Sequence, residues 1–184
     1  MRVFAAIVPP PDVVEHLDSF LDVRREHGSL RWTDASQFHV TLAFSAECSE
    51  QSVDDWAERL AESAGRRTRF EASLGGGGAF PSVADAKVLW AGVRAPEGAL
   101  SQLALSARSG ATASGVPVDG GRFRPHVTLA RLGLGVDVTR WVRILDSYDG
   151  PAWTVDAITL VRSHLGQGRR GKPRYEPLAE IPLG

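Results

Sequence analysis

Apolar and polar positions recur with two different periods along this chain. Every residue from Val3 to Val8 is apolar, the pattern of a strand covered on both faces. Val13, Val14, Leu17, Phe20 and Leu21 then follow at helical steps. They predict a helix capped by Asp12 and closed at Gly28. A second helix is predicted from about Ser52 to Gly65, with Val53, Trp56, Leu60 and Ala64 on one stripe. A third carries Leu100, Leu103, Ala104 and Ala107 and ends near Gly110. A fourth is capped by Asp137 and turns Val138, Trp141, Val142 and Leu145 inward.

Between the helices the period drops to two. Thr68, Phe70, Ala72 and Leu74 alternate with Arg69, Glu71 and Ser73, which predicts a strand broken by Gly75-Gly76-Gly77-Gly78. Lys87 to Val93 and Trp153 to Arg162 read as further strands. Tyr175 to Ile181 closes the chain as an edge strand, since Pro177 cannot donate to a ladder on both sides.

Two strands carry nearly the same text. Gln37-Phe38-His39-Val40-Thr41-Leu42-Ala43-Phe44 is matched by Arg124-Pro125-His126-Val127-Thr128-Leu129-Ala130-Arg131. In each, His and Thr fall on one face and Val and Leu on the other. One copy in each half of the chain predicts an α+β fold of two lobes related by an approximate two-fold. Each lobe would carry a mainly antiparallel sheet flanked by helices, with a groove between the lobes. No linker separates independent domains, so residues 1–184 are expected to form one bilobal unit. Two facing strands of this kind would line the groove with two imidazoles and two hydroxyls.

Composition narrows the chemistry. Hydrophobic residues make up 43% of 184, enough for a sizeable core. No apolar run is long enough to cross a bilayer. The short apolar N-terminus meets Pro9-Pro10-Pro11 with no clear cleavage site, so it reads as a buried strand rather than a signal peptide. The single Cys48 excludes an internal disulfide and a multi-cysteine zinc site, and points to a reducing, cytoplasmic setting. A net charge of −1 supplies no global attraction for nucleic acid, so any polyanion must be held by a local patch.

Paired imidazoles and hydroxyls suit phosphoryl chemistry. In-line displacement at phosphorus needs a base where the nucleophile enters and an acid where the leaving oxygen departs. Histidine serves either role near neutrality, its ordinary pKa being about 6.5. Thr hydroxyls can donate to the non-bridging oxygens. Arg131, just beyond Thr128, is placed to add a charge-assisted contact.

These motifs resemble the paired His-x-Thr-x motifs of the two-histidine phosphoesterase superfamily, and most of all its LigT-like branch, the RNA 2′,3′-cyclic phosphodiesterases. The likeness covers nearly the whole chain. It includes Arg2-Val3-Phe4-Ala5-Ala6-Ile7, Leu30-Arg31-Trp32, Phe80-Pro81, Val88-Leu89-Trp90-Ala91-Gly92-Val93, Ser163-His164-Leu165 and Arg174-Tyr175. The resemblance implies hydrolysis of an RNA 2′,3′-cyclic phosphate to a 2′-phosphomonoester with neither metal nor cofactor. It implies His39 as proton donor to the leaving 3′ oxygen, His126 as acceptor from water, and Thr41 and Thr128 on the phosphate oxygens. Some relatives also join tRNA halves through a 2′,5′ linkage. A small cyclic nucleotide or ADP-ribose cyclic phosphate as substrate, or an RNA-end-binding module without turnover, are the alternatives. A monomer is expected.

Other patterns carry less. Zinc wants three or four ligands, and no third donor stands at usual spacing to the two histidines. Gly166 to Pro173 approaches a P-loop but ends in Pro173 where Ser or Thr should bind magnesium. Arg169, Arg170, Lys172 and Arg174 form the one clear basic cluster, a solvated loop or an RNA-backbone contact. Trp32 and Phe80 could stack a terminal base or simply fill core. His16 and His27 read as solvated.

Overall fold

The computed structural model describes residues 1–25 and 30–184, so the expected helix end at Gly28 and the solvated His27 lie outside the described residues. The strands are β1 (Arg2–Ile7), β2 (Arg31–Trp32), β3 (Val40–Ser45), β4 (Phe70–Pro81), β5 (Ala86–Arg94), β6 (His126–Val136), β7 (Trp153–Val155), β8 (Ala157–His164) and β9 (Arg174–Pro182). The helices are α1 (Pro11–Arg25), α2 (Glu50–Gly65), α3 (Ala99–Ala113) and α4 (Thr139–Asp146). The architecture is α+β, as expected, around a large antiparallel sheet in the order β7-β4-β5-β6-β3-β1-β8-β9, with β2 on the side of β6. The two motif strands, β3 and β6, are neighbours at its centre, joined through the single pair Val40 and Val127.

β1 shows why its sequence is apolar throughout. Val3, Ala5 and Ile7 enter the main core, while Phe4 and Ala6 join Val161 in a small cluster on the opposite face. Phe44 and Tyr175 pack against that second cluster. β9 lies at the sheet edge beside β8, which suits Pro177.

Several boundaries differ from the sequence reading. α1 opens at Pro11, with the Pro10 carbonyl accepting from Val13 and Val14, so Asp12 sits in the first turn rather than at the cap. α2 opens earlier than expected, capped by Ser49, whose Oγ accepts from the Ser52 amide at 3.1 Å. The cap of α4 is Val138, whose carbonyl accepts from Val142, and Asp137 stands one residue before it, its carboxylate accepting from the Thr139 amide at 2.9 Å. α3 runs through Gly110 to Ala113. That glycine serves a close helix contact instead: a Cβ there would lie 3.4 Å from Trp56, whose indole donates to the Ala107 carbonyl at 2.9 Å. The expected strand from Trp153 to Arg162 is divided at Asp156, whose carbonyl accepts from Leu183 at 2.8 Å.

The glycine run does not break β4. The strand passes through it with a register shift between Leu74 and Gly77. Gly76 takes φ +71°, where side-chain-bearing residues are strained. A Cβ on Gly77 would meet Leu145 of α4 at 2.5 Å, and one on Gly78 would overlap the Trp90 indole. The run is therefore a strand stripped of side chains so that α4 and Trp90 can close onto it.

Gly78→Ala is expected to destabilise the protein by about 1–3 kcal/mol through overpacking. Gly65→Ala, with nothing within 4 Å of its added methyl, should stay within about 0.5 kcal/mol. Urea unfolding midpoints decide it; equal midpoints for the Gly78 variant and the parent would contradict this packing.

Candidate active site

Val40 and Val127 are wholly buried at the seam between β3 and β6. Their strand neighbours therefore face the other way. His39, Thr41, His126 and Thr128 line one cavity of about 370 Å³. Antiparallel pairing at Val40 and Val127 sets Thr41 across from His126 and His39 across from Thr128.

Each motif strand bulges just after its Thr. Ala5 pairs with Ala43 but Ala6 with Thr41, leaving Leu42 as the extra residue in β3. Leu89 pairs with Ala130 but Trp90 with Thr128, leaving Leu129 as the extra residue in β6. Consecutive residues are consequently buried in both strands, Leu42 with Ala43 and Leu129 with Ala130. In a regular strand Arg131, three residues after Thr128, would point away from the site. The bulge returns it to the cavity, and Phe44 arrives there by the same route.

The two halves thus differ at one matched position, arginine in one and phenylalanine in the other. Arg2 supplies the missing charge. It lines the same cavity, with its guanidinium 4.8 Å from the centre of the Phe44 ring. Its signal in the sequence is slight: Arg2 shares a strand face with Phe4, one alternation away.

The imidazoles are held in mirrored ways. Nδ1 of His39 lies 2.7 Å from the Gln37 carbonyl, and Nδ1 of His126 lies 2.6 Å from the Arg124 carbonyl. A carbonyl only accepts, so each Nδ1 carries the proton and each Nε2 is left for other partners. Nε2 of His39 lies 3.0 Å from Thr41 Oγ1. Aromatic rings fix the ring planes. Phe4 stacks on His39 at 4.6 Å and Tyr175 meets it edge-on at 5.6 Å. Phe80 meets His126 edge-on at 4.9 Å, with Trp90 at 6.1 Å.

Packing of this kind disfavours the imidazolium. Burial, with smaller contributions from the charges of His126 and Arg131, pushes His39 down to about 4, against the opposing bond to Gln37. Burial and then Arg131 also lower His126. Tyr175 is raised by burial, although Arg131 and Arg2 pull the other way. The site therefore holds two neutral imidazoles beside two guanidinium groups. Among the described residues no three His, Cys, Asp or Glu side chains gather in a metal-binding group, and no helix is long and apolar enough to cross a membrane.

The other candidates distribute differently. Trp32 is packed edge-on to Trp141 at 4.8 Å and lines a side cavity next to the site, not the site itself. Phe80 supports His126 rather than facing the central cavity. Gly166 to Pro173 leads into β9, with no helix to complete a P-loop. His16 is exposed, as expected, yet its Nδ1 lies 2.9 Å from Tyr148 Oη. His164 pairs with Glu176 at 2.7 Å, a contact absent from the sequence reading because it depends on the β8–β9 register.

Fold and motif geometry define an α+β protein with two His-x-Thr strands joined across the middle of one antiparallel sheet. The chain belongs to the 2′-5′ RNA ligase superfamily, whose model matches residues 9–167. A protein of Aeropyrum pernix named RNA 2′,3′-cyclic phosphodiesterase is 32% identical over 155 residues, covering 83% of this chain and 85% of that one. A protein of Escherichia coli K12 with the same name is 30% identical, covering 99% and 96%. The crystal structure of E. coli LigT complexed with 3′-AMP superposes with a TM-score of 0.76 at 29% identity, over 99% of this chain and 97% of that one. TT0787 of Thermus thermophilus gives 0.75 at 28%, over 100% and 98%.

The depressed His39 pKa has a consequence for stability. The unfolded chain binds a proton near pH 6.5, whereas the folded chain resists it until about pH 4. Stability is therefore lost as pH falls through that window and is fully present above it. His39→Gln is expected to recover about 2–3 kcal/mol of the loss between pH 7 and 4.5. Urea titrations at both pH values measure it, and an undiminished loss in the variant would refute the burial of this ring.

Proposed function

We propose that this protein is a hydrolase that opens the 2′,3′-cyclic phosphate at an RNA end to leave a 2′-phosphomonoester. The observation that carries the reading is the mirrored pair of imidazoles, each with Nδ1 tied to a backbone carbonyl and its motif Thr beside it on one cavity. The names of the Aeropyrum and E. coli relatives, and the 3′-AMP and phosphate complexes of E. coli LigT, support the same phosphoryl chemistry.

The family resemblance assigns the acid and base roles, and the arrangement accommodates them. His126 Nε2 takes a proton from water as the water oxygen bonds to phosphorus. The bond from phosphorus to the 3′ oxygen breaks, and that oxygen receives a proton from Nε2 of His39. Thr41 and Thr128 donate to the non-bridging oxygens, and Arg131 balances their charge. The acid must be charged before this step, although burial disfavours that form. An arriving phosphodiester anion reverses the balance by stabilising the imidazolium. Solvent exchange then returns the proton from His126 to His39. With an RNA 5′-hydroxyl in place of water, the same two groups would form a 2′,5′ linkage. One bilobal unit of residues 1–184, acting as a cytoplasmic monomer without a metal, suffices for these roles.

The test is a short RNA ending in a 2′,3′-cyclic phosphate, incubated with the protein in EDTA. A 2′-phosphate product is expected. His39→Ala and His126→Ala should each lower kcat by about 10²–10⁴-fold. A 3′-phosphate product, or a double variant as active as the parent, would overturn the reading.

A further inference from the structure

β2 contains only two residues, and its register sets Arg31 directly across from Arg131 on β6. Opposed residues of neighbouring antiparallel strands share a face at close range, where like charges repel. Among the described residues, no carboxylate lies within 4.0 Å of either guanidinium. Both line a second cavity of about 190 Å³, and Arg131 lines the catalytic cavity as well.

A third cation stands at this cavity. Lys172 belongs to the loop between β8 and β9, and its Nζ donates to the Trp32 carbonyl. The loop is fastened elsewhere too. Gln37 Nε2 donates to the Pro173 carbonyl at 2.8 Å, and the Gly168 amide to the Lys172 carbonyl at 2.7 Å. Arg170 is held at φ +55°, in the left-handed region. The nearby acid, Asp34, is turned to Ser36, whose amide and hydroxyl donate to it at 3.1 and 2.8 Å. Its carboxyl is held low mainly by those bonds, and only weakly by Lys172 and Arg169.

Backbone register thus sets two arginines opposite each other, and a fastened loop brings a third cation to the same cavity. We infer that the Arg31–Arg131 pair is a second phosphate subsite, which takes the phosphodiester on the 5′ side of the terminal nucleotide. The inference rests on the proposed RNA-end activity. Arg131 touches both cavities, so the second anion sits one guanidinium away from the reacting one, as adjacent phosphates of a single strand do. The favoured substrate is then a strand of at least two nucleotides, ahead of a cyclic mononucleotide.

Three substrates separate this from the activity itself: adenosine 2′,3′-cyclic phosphate, ApA ending in a 2′,3′-cyclic phosphate, and that dinucleotide with a neutral methylphosphonate linkage. The parent should favour the charged dinucleotide over its neutral analogue by about tenfold in kcat/KM. Arg31→Ala should bring that ratio near one while leaving cyclic mononucleotide turnover within about twofold. A ratio retained in the variant, or equal losses on all three substrates, would overturn the subsite. If none of the three is turned over, the activity reading fails and the subsite is judged by affinity. ApA with a 3′-phosphate should then bind Arg31→Ala about tenfold more weakly, and its methylphosphonate form equally to both proteins. An unchanged affinity would overturn the subsite there too. The ligand-free variant should melt above the parent, since the repulsion is gone; a lower Tm would make Arg31 merely structural.

Discussion

One residue pair sets the geometry of the site. Val40 and Val127 are the only paired positions between β3 and β6 among the described residues, and both are fully buried. Strand alternation makes that burial a statement about their neighbours: if the valines face the core, both histidines and both threonines face the cavity. A slip of one residue at this seam would turn the imidazoles into the core and the valines into the groove. The mirrored bonds to the Gln37 and Arg124 carbonyls then fix what alternation leaves free, the ring orientation and the tautomer.

The same packing that orders the imidazoles disfavours their protonated forms. Phe4 and Tyr175 hold one ring, Phe80 and Trp90 the other. Burial lowers both pKa values, and Arg131 lowers them further. In the proposed reaction an anion is the missing counter-charge. Its arrival favours protonation of the acid and satisfies Arg131 together, so the competent protonation state is assembled by substrate rather than stored in advance.

The repeated His-Val-Thr-Leu text was enough to read the α+β class, the adjacency of chemistry to core and four of the residues that line the cavity, because period-two alternation survives in any strand. It pointed to Arg131 as well, although alternation alone would have turned that residue away from the cavity, and it missed Arg2. Arg131 reaches the cavity only through a bulge at Leu129, a feature set by the β5 partner strand and invisible in β6 alone. Arg2 matters because the equivalent bulge at Leu42 delivers Phe44 beside it. The glycine run misled for a related reason. Glycine stops strands when the backbone must turn, but in β4 it makes room for Leu145 and Trp90 from neighbouring elements. In each case the deciding contact is long-range, and local pattern carries no record of it.

Unfavourable features concentrate where the chemistry is proposed. Neutralised imidazoles, a bulge in each motif strand and two arginines opposed on neighbouring strands all lie on one face of the sheet. The opposite face is continuous core, with Val3, Leu42, Val127 and Leu129 essentially inaccessible. Since native stability is a small difference between large terms, about 5–15 kcal/mol, these costs are tolerable only if the burial beneath them is secure. A bistable or loosely packed sheet would relax them by sliding register, and with that the alignment of both imidazoles would be lost. The apolar halves of the two motif strands are therefore part of the active site in an energetic sense: they hold in place an arrangement that its polar halves, left to themselves, would abandon.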